Sequence, residues 1–472
     1  MALSKTRLLW PAWLLSSIVI GLVYGGKLFT AEDRQVFMPG PLSNGHYQLT
    51  EKCELCHGDA FGGDKDSGEV LQAACIRCHG KERQKPFDSH PQEKFKDPRN
   101  ADRLQKIDAL RCVSCHTEHR PEITRKDGVT QPRDVCYHCH RDIAEDRPTH
   151  RAMPFDSCTD SGCHNFHDNR ALYTAFLIKN SGKPDTREPA TIPQREFAST
   201  LDEVADYPRD QYPLQALVAA QADAVGPLSA TIVRDWAETA HARSGVNCTA
   251  CHVLGNVPES LGAASAQWTD RPTQARCAVC HQHEVQRFGR SKHGLREAVG
   301  LPAMTPAQAR LPMHDKLAHQ ALDCNSCHSG HRFDVRTAAV EACLGCHADE
   351  HSQAYKKSRH YGLWQAELAG TAEAGTGVSC ATCHLPRISF DVSEWSSRIM
   401  VDHNQGANLS PNSKMIRSVC LQCHSLALSL DALADPALIQ RNFDGPSAVQ
   451  VTSMKMAVED QQRRKQKRSD RE

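Results

Sequence analysis

The sequence predicts a mainly α-helical fold with extensive loops and little or no β-sheet. Two observations carry this prediction. All 22 cysteines of the 472-residue chain lie in eleven copies of one short motif, spread along most of its length. The composition is also lean for a conventional hydrophobic core, with 40% apolar and 6% aromatic residues. Groups bound at the motifs must therefore contribute much of the buried apolar surface.

The eleven motifs, numbered 1 to 11 in chain order, have the form C-x-x-C-H except for motif 5, which is stretched to C-x-x-x-x-C-H. Motifs 1 to 5 consist of Cys53, Cys56 and His57; Cys75, Cys78 and His79; Cys112, Cys115 and His116; Cys136, Cys139 and His140; and Cys158, Cys163 and His164. Motifs 6 to 11 consist of Cys248, Cys251 and His252; Cys277, Cys280 and His281; Cys324, Cys327 and His328; Cys343, Cys346 and His347; Cys380, Cys383 and His384; and Cys420, Cys423 and His424.

This motif is typical of c-type haem attachment. Two thiols about one turn apart add to the haem vinyl groups, and the next residue, a histidine, binds the iron from one side. Zinc sites and disulfide frameworks also use paired cysteines, but neither needs a histidine directly after every second cysteine. Eleven copies with no cysteine left over predict eleven covalently bound c-type haems and a haem-cored multihaem cytochrome c fold.

The histidines outside the motifs are the candidates for the second axial ligand of each iron. The chain has 26 histidines, of which eleven end motifs, so fifteen remain. Methionine, the alternative ligand, occurs only nine times. The default prediction is therefore bis-histidine ligation and low potential. The predicted second ligands are His46, His90, His119, His150, His167, His241, His293, His319, His331, His351, His360 and His403.

Three of these candidates follow a motif directly, in the pattern C-H-x-x-H. They are His119, His167 and His331. Each is held on the near side of its own haem, so we expect it to ligate a neighbouring haem and to tie the haems into a stack. His138 lies inside its own motif loop and is not expected to be a ligand, and the role of His283 is left open.

The N-terminus carries an uncharged run from Leu8 to Tyr24, preceded by Lys5 and Arg7. Such a run is typical of a membrane helix or of a signal peptide. No clear cleavage site follows, which favours an uncleaved anchor. The preceding positive charges place the N-terminus in the cytoplasm and the motifs on the periplasmic side of a bacterial inner membrane. A cleaved signal would give the same compartment.

The spacing of the motifs predicts five segments. They are an anchor or signal (residues 1–34), a five-haem module (35–170), a linker (171–235), a six-haem module (236–430) and a polar, basic C-terminal tail (431–472). Helices are expected over residues 214–224, 229–242 and 426–433. The tail is expected to be solvated, with docking to an acidic partner as the alternative.

Two resemblances to known families extend the analysis. From Trp236 to His424 the chain resembles the hydroxylamine oxidoreductase-type octahaem cytochromes, in the order of its elements. These include Ser291-Lys-His293-Gly, Cys324 to Phe333, Cys343 to His351, and the Ser358-Arg-His360, His384-Leu-Pro and His403 positions. The five-haem module, with Phe87-Asp-Ser-His90 and its C-H-x-x-H repeats, is similar to class III and quinol-dehydrogenase-type multihaem cytochromes.

The chain departs from the enzymes of this type in two respects. The octahaem oxidoreductases have a cross-linking tyrosine after the motifs, whereas the last tyrosine here is Tyr361. Pentahaem nitrite reductases have a C-x-x-C-K motif, and this chain has none. If one haem is catalytic, the family order points to motif 7, Cys277–His281.

Two functions remain open on the sequence. The first is electron transfer between a membrane or quinol-linked donor and a redox protein. The second is reduction of a small nitrogen or sulfur oxyanion, such as nitrite, hydroxylamine, tetrathionate or sulfite, at one five-coordinate haem. The formal net charge is zero and each haem adds two propionates, so the loaded protein is acidic and nucleic acid is not an expected partner. The redox partner, the direction of flow and the oligomeric state are left open.

Overall fold

The structure is a computed structural model of the whole chain. It describes residues 5–30, 35–58, 67–83, 96–98, 101–104, 107–108, 110–124, 130–132, 135–151, 153, 158, 167, 174–188, 192–193, 216–224, 226, 228–253, 268–391, 394 and 397–470. The chain forms two compact units. The first comprises residues 1–158 and 165–169, and the second comprises residues 159–164 and 170–472.

The first unit consists of short helices joined by loops, apart from two longer helices. Its α-helices are Lys5–Thr30, Glu54–His57, Ser67–Arg83, Ala101–Leu104, Tyr137–His140 and Ile143–Asp146. Its 3₁₀ helices are Gln35–Phe37, Tyr47–Leu49, Cys112–Ser114 and Pro148–His150.

The second unit has the same character, with many helices of one or two turns. Its α-helices are Thr174–Lys179, Ala230–Ala237, Ala240–Arg243, Cys248–His252, Gln274–Ala278, Gln282–Phe288, Leu295–Ala298, Val335–Ala339, Glu341–Cys346, Glu350–Ala354, Arg359–Leu368, Cys380–His384, Gln405–Leu409, Met415–Ser418, Leu426–Ala434, Pro436–Gln440 and Ser453–Ser469. Its 3₁₀ helices are Ala219–Gln221, Pro306–Gln308, Asp315–Leu317, Cys324–Ser326, Tyr355–Lys357, Asn412–Lys414 and Cys420–Gln422.

Many of these short helices begin at a side chain that caps the free backbone N–H groups of the first turn. The Ser379 hydroxyl accepts a hydrogen bond from the Thr382 N–H at the start of helix Cys380–His384. Ser425 does the same for Leu428, and Asp349 for Ser352. A cap contributes about 1 kcal/mol, which matters for helices too short to be stable alone.

The described residues contain one β-sheet, an antiparallel hairpin of two strands. Strand Arg387–Asp391 pairs with strand Ser397–Val401, and Ser389 lies opposite Ile399. The prediction of a mainly α-helical fold with extensive loops and little sheet is confirmed.

The main hydrophobic cluster of the second unit joins distant parts of the chain. Leu426, Leu430 and Leu433 pack against Leu177 and against Met454. Cys383 and Cys420 border the same cluster, so motifs 10 and 11 adjoin it. A smaller cluster contains Val340, Leu344 and Tyr355.

Two local features of the structure differ from the expectations drawn from the sequence. Helix Thr174–Lys179, expected to be part of a linker, packs on helix Ser453–Ser469 from the expected tail. The apolar residues Leu177, Met454 and Ala457 are the cause, because they bury each other. The prediction of a helix over residues 214–224 is wrong. Of its described part only Ala219–Gln221 is helical, and the Leu217 N–H bonds instead to the Ala242 carbonyl.

The N-terminal helix Lys5–Thr30 contains a stretch, Leu9–Lys27, that is long and apolar enough to cross a membrane. Its large apolar side chains, such as Trp10, Leu15 and Leu22, are exposed. Exposed apolar side chains over this length fit a lipid environment, but a signal sequence has the same features.

Candidate haem sites

The described motifs, 1 to 4 and 6 to 11, each adopt one helical turn, which places both cysteines and the histidine on the same side of the chain. In this turn the histidine N–H donates to the carbonyl of the first cysteine. The distance is 2.9 Å from His57 to Cys53 and 2.8 Å from His281 to Cys277. Motifs 3, 4, 8, 9 and 11 have the same hydrogen bond. This geometry suits the two vinyl groups and the iron of one porphyrin.

Nine motif histidines of the described residues face the ring of a second histidine. The pairs, with their ring-centroid distances, are His79 and His46 (5.9 Å), His57 and His119 (6.3 Å), His116 and His167 (6.4 Å), His252 and His331 (5.7 Å), His281 and His241 (6.0 Å), His328 and His403 (6.4 Å), His347 and His293 (6.3 Å), His384 and His351 (6.0 Å), and His424 and His360 (6.2 Å).

These distances fit a metal ion between the two rings. A metal–imidazole bond is about 2.0 Å and the ring centre lies roughly 1 Å beyond the nitrogen, so two axial imidazoles separate their centres by about 6 Å. The described residues contain no group of three or more His, Cys, Asp or Glu side chains that could hold a metal ion. Each histidine pair includes the histidine of a motif, which directly follows the second of two cysteines, and this arrangement fits a haem attached through two thiols.

The pairs cross between motifs. His119 follows motif 3 but faces His57 of motif 1, and His331 follows motif 8 but faces His252 of motif 6. Both of these second histidines have left-handed backbone, with φ of 62° and 67°. This conformation is unusual for a residue with a side chain and accompanies a chain reversal directly after the motif. His167, in the same sequence pattern, faces His116.

The remaining candidate histidines have other surroundings. The His150 Nδ1 atom lies 3.1 Å from the Thr149 hydroxyl. The His283 ring lies against Phe390, with centroids 4.1 Å apart. His319, a predicted ligand, does not face a motif histidine of the described residues. Each of the six motif histidines of the six-haem module faces a different histidine instead. His90, Cys163 and His164 lie outside the described residues.

Hydrogen bonds to Nδ1 orient many of the rings. The Nδ1–H groups of His252 and His403 can donate to the backbone carbonyls of Thr269 (2.7 Å) and Val401 (3.0 Å). His119 donates likewise to the Gly40 carbonyl at 2.9 Å. A carbonyl acceptor fixes the proton on Nδ1 and leaves Nε2 free as the metal-binding atom.

Burial keeps several of the paired imidazoles neutral, which is the form that binds a metal. Burial, together with the facing histidine, lowers the pKa of His116, His293, His360 and His384 to about 4.

Consecutive motifs lie next to each other through their cysteines. In the first unit, Cys75 of motif 2 is in close contact with Cys112 of motif 3. In the second unit, Cys277 contacts Cys324 and Cys343 contacts Cys380 in the same way. The pKa values of Cys115, Cys251, Cys327 and Cys383 are raised, first by burial and then by cysteines of the next motif. The pKa of Cys56 is raised by burial, then by the charge of Glu118, and then by Cys78 of motif 2. Motifs 1 to 4 and motifs 6 to 11 thus form two unbroken series.

A buried ion pair supports the segment that carries His403. The Arg287 guanidinium donates to both carboxylate oxygens of Asp402, at 2.7 and 2.5 Å, and Asn408 donates to one of them. The Asp402 side chain is 3% exposed. Burial raises the pKa of Asp402, but the hydrogen bonds from Arg287 and the Asn404 backbone outweigh it, so the pKa is lowered.

Sequence reasoning did not find these supporting groups. Most are backbone carbonyls, which carry no residue-type signal. Asp402 had one available signal, because it directly precedes a candidate histidine.

Comparison with known proteins supports haem chemistry for the first part of the chain. A family model described as Cytochrome c3 matches residues 45–141, which contain motifs 1 to 4. The chain is thus similar to a multihaem c-type cytochrome, a class that binds haem covalently and transfers electrons. No curated protein sequence and no solved structure matches.

We predict that Arg287→Met destabilises the protein by about 3–5 kcal/mol, because it leaves the Asp402 charge buried without its partner. The matched control is Arg464→Met, whose exposed pair with Asp460 is worth at most about 1 kcal/mol. Urea unfolding at pH 7, followed by circular dichroism, measures both. Equal effects of the two substitutions would contradict a structural role for the buried pair.

The same pair predicts a pH dependence. Because the pKa of Asp402 is lower in the folded chain than in the unfolded chain, its contribution is complete above the unfolded value of about 3.9 and is lost as the pH falls through the folded value. The stability difference between the wild type and Arg287→Met should therefore shrink towards acid pH.

Proposed function

We propose that this protein is a membrane-tethered periplasmic electron carrier with eleven bis-histidine c-type haems. It would carry electrons between a membrane or quinol-linked donor and a redox protein. The observation that carries the proposal is the set of nine facing histidine pairs, 5.7–6.4 Å apart. Bound haem supplies reversible one-electron chemistry. The chain's own residues attach it, occupy both axial positions and hold successive sites close together.

The series of adjacent motifs supports transfer along the chain. Contacts such as that between Cys277 and Cys324 bring the attachment edges of successive sites together. The crossed pairs also bring sites together, because His331 joins the segment after motif 8 to the site of motif 6. A carrier needs such closeness, whereas a single-site enzyme does not.

The alternative, a reductase of a small nitrogen or sulfur oxyanion, needs an open axial position. Motif 7 is the site to which the octahaem family order points, but the ring of His241 faces His281 at 6.0 Å. The other five motif histidines of the six-haem module are faced in the same way. This arrangement favours the carrier over a reductase with its active haem in that module.

Two further features support the proposed place and partner. The exposed apolar stretch Leu9–Lys27 suits a membrane anchor. The exposed second half of helix Ser453–Ser469 is basic, and the helix begins in the hydrophobic cluster that borders motif 11. A basic surface near the last motif suits an acidic redox partner.

We expect intact mass spectrometry to give the mass of the polypeptide plus eleven haems. The stretched motif 5 keeps the cysteine pair and the adjacent histidine of the other motifs, and it leaves no orphan thiol. A mass corresponding to ten haems would remove the claim for motif 5. If the wild-type protein carries eleven haems, substituting both Cys158 and Cys163 with alanine should lower the count to ten.

Substitution of His241 tests the axial pairing. His241→Ala should convert one low-spin ferric haem to high spin, and His241→Met should raise the midpoint potential of one haem, because a thioether replaces an imidazole. Electron paramagnetic resonance and potentiometric titration measure these changes. His319→Ala is the matched control and should alter neither.

The wild-type protein should show low-spin ferric signals for the sites of the six-haem module. It should not turn over nitrite, hydroxylamine, tetrathionate or sulfite at enzyme-like rates, which are about 1–1,000 per second. A high-spin resting signal together with such turnover would replace the carrier by the reductase.

The tether is tested by fractionation of cells that express the full chain. We expect the protein in the membrane fraction, with its N-terminus intact by sequencing. A soluble mature form that begins near residue 27 would show that the apolar stretch is a cleaved signal.

A further inference from the structure

Two loop segments of the first unit each provide the hydrogen-bond acceptor for a histidine of the other segment. The first, residues 40–46, ends at His46, which faces His79 of motif 2. The second, residues 116–119, runs from the histidine of motif 3 to His119, which faces His57 of motif 1. The segments lie in close contact at Gly40, where the His119 carbonyl oxygen leaves no room for a Cβ atom.

The two histidines receive different partners from this arrangement. His119 donates from Nδ1 to the neutral carbonyl of Gly40, at 2.9 Å. His46 instead has a carboxylate partner, because its Nδ1 lies 2.6 Å from Oε1 of Glu118. Each segment thus supplies the acceptor for the histidine on the other, but only one acceptor is charged.

Glu118 is held in place by further hydrogen bonds. The Ser43 hydroxyl donates to Oε1 at 2.9 Å, and the Ser43 backbone N–H donates to Oε2 at 3.0 Å. Ser43 is buried, with 1% of its surface exposed. Three hydrogen bonds, one with His46 and two from Ser43, thus hold both oxygens of the Glu118 carboxylate in place.

The other paired histidines with a carboxylate nearby have longer contacts. Nδ1 of His347 lies 3.6 Å from Asp349, and Nδ1 of His281 lies 4.0 Å from Glu284. Backbone carbonyls serve His252, His351, His403 and His424. Among the described pairs, His46 therefore has the shortest contact with a negative charge.

We propose that Glu118 is a tuning residue, which lowers the midpoint potential of the haem held between His46 and His79 below that of the haem held between His57 and His119. A carboxylate on Nδ1–H makes an imidazole a stronger electron donor through Nε2. A more basic ligand with a negative charge behind it stabilises the ferric state, which carries one more positive charge. The effect is a step in potential between two neighbouring sites.

This inference rests on the axial pairs of the proposed function, but it concerns a residue that touches no iron. It also assigns a role to Glu118, one of the two residues between the histidines of the Cys115-His116-Thr117-Glu118-His119 sequence. Glutamine at this position keeps the size and an acceptor oxygen but loses the charge, so charge and packing are separable.

The test is potentiometric titration of the full-length, haem-loaded protein, with electron paramagnetic resonance to assign the shifted haem. Glu118→Gln should favour reduction of one haem by about tenfold, which is about 59 mV upward for a one-electron couple. Glu118→Asp should raise the midpoint potential of the same haem by less than Glu118→Gln does, because the negative charge remains. The haem count by mass should be unchanged in each variant.

Glu122→Gln is the matched control. It removes the same charge from the same loop, but Glu122 is 62% exposed and pairs with Arg120 at 3.4 Å. It should leave every midpoint potential nearly unchanged. An equal shift in both variants, or no shift in Glu118→Gln, would overturn the tuning role.

His46→Ala separates this inference from the proposed function. It should convert to high spin the same haem that shifts in Glu118→Gln. If His46→Ala gives that conversion and Glu118→Gln gives no shift, the tuning role alone is wrong. If His46→Ala changes no haem, the pairing of His46 with His79 is wrong, and the tuning role is wrong with it.

Discussion

The requirement for two imidazoles about 6 Å apart governs most of this structure. An iron atom between two Nε2 atoms needs that separation, and nine motif histidines have it. The backbone is arranged to meet it, with helices of one or two turns and left-handed residues at His119 and His331. A long regular helix or a sheet could not change direction often enough to supply so many pairs from one chain.

The same requirement explains how the modules hold together with few aromatic residues. Each pair joins parts of the chain that are distant in sequence, such as His360 and His424. Among the described residues, apolar side chains pack in two small clusters, the larger of which contains Leu177, Leu430 and Met454. A bound haem adds apolar surface between the members of each pair, so attachment and folding are coupled.

The sequence allowed the local part of this arrangement to be predicted. The mainly helical class followed from the motifs and from the scarcity of aromatic residues, and it is confirmed. The C-H-x-x-H pattern indicated that His119 and His331 serve neighbouring haems, because the geometry that excludes their own haem is local. Which neighbour each one faces was beyond the sequence, since it depends on tertiary contacts between distant segments.

Two kinds of feature had no usable signal in the sequence. Backbone carbonyls such as those of Gly40 and Thr269 orient the rings, and any residue type has a carbonyl. The packing of helix Thr174–Lys179 on helix Ser453–Ser469 was missed because the first helix is only six residues long and the second is mainly polar. The short apolar face of each helix becomes recognisable only when the other is beside it.

Filling both axial positions with histidine has a consequence for function. A substrate needs an open position on the iron, and in the proposed arrangement a second imidazole would occupy that position at each of the nine sites. What the protein can still vary is the potential of each site, through the group that accepts the Nδ1 proton. The acceptors differ in charge, from the Gly40 carbonyl to the Glu118 carboxylate, so neighbouring sites need not have equal potentials. In the proposed series of adjacent sites, such differences in potential would favour electron transfer in one direction, so the residues behind the ligands would contribute to the function beside the ligands themselves.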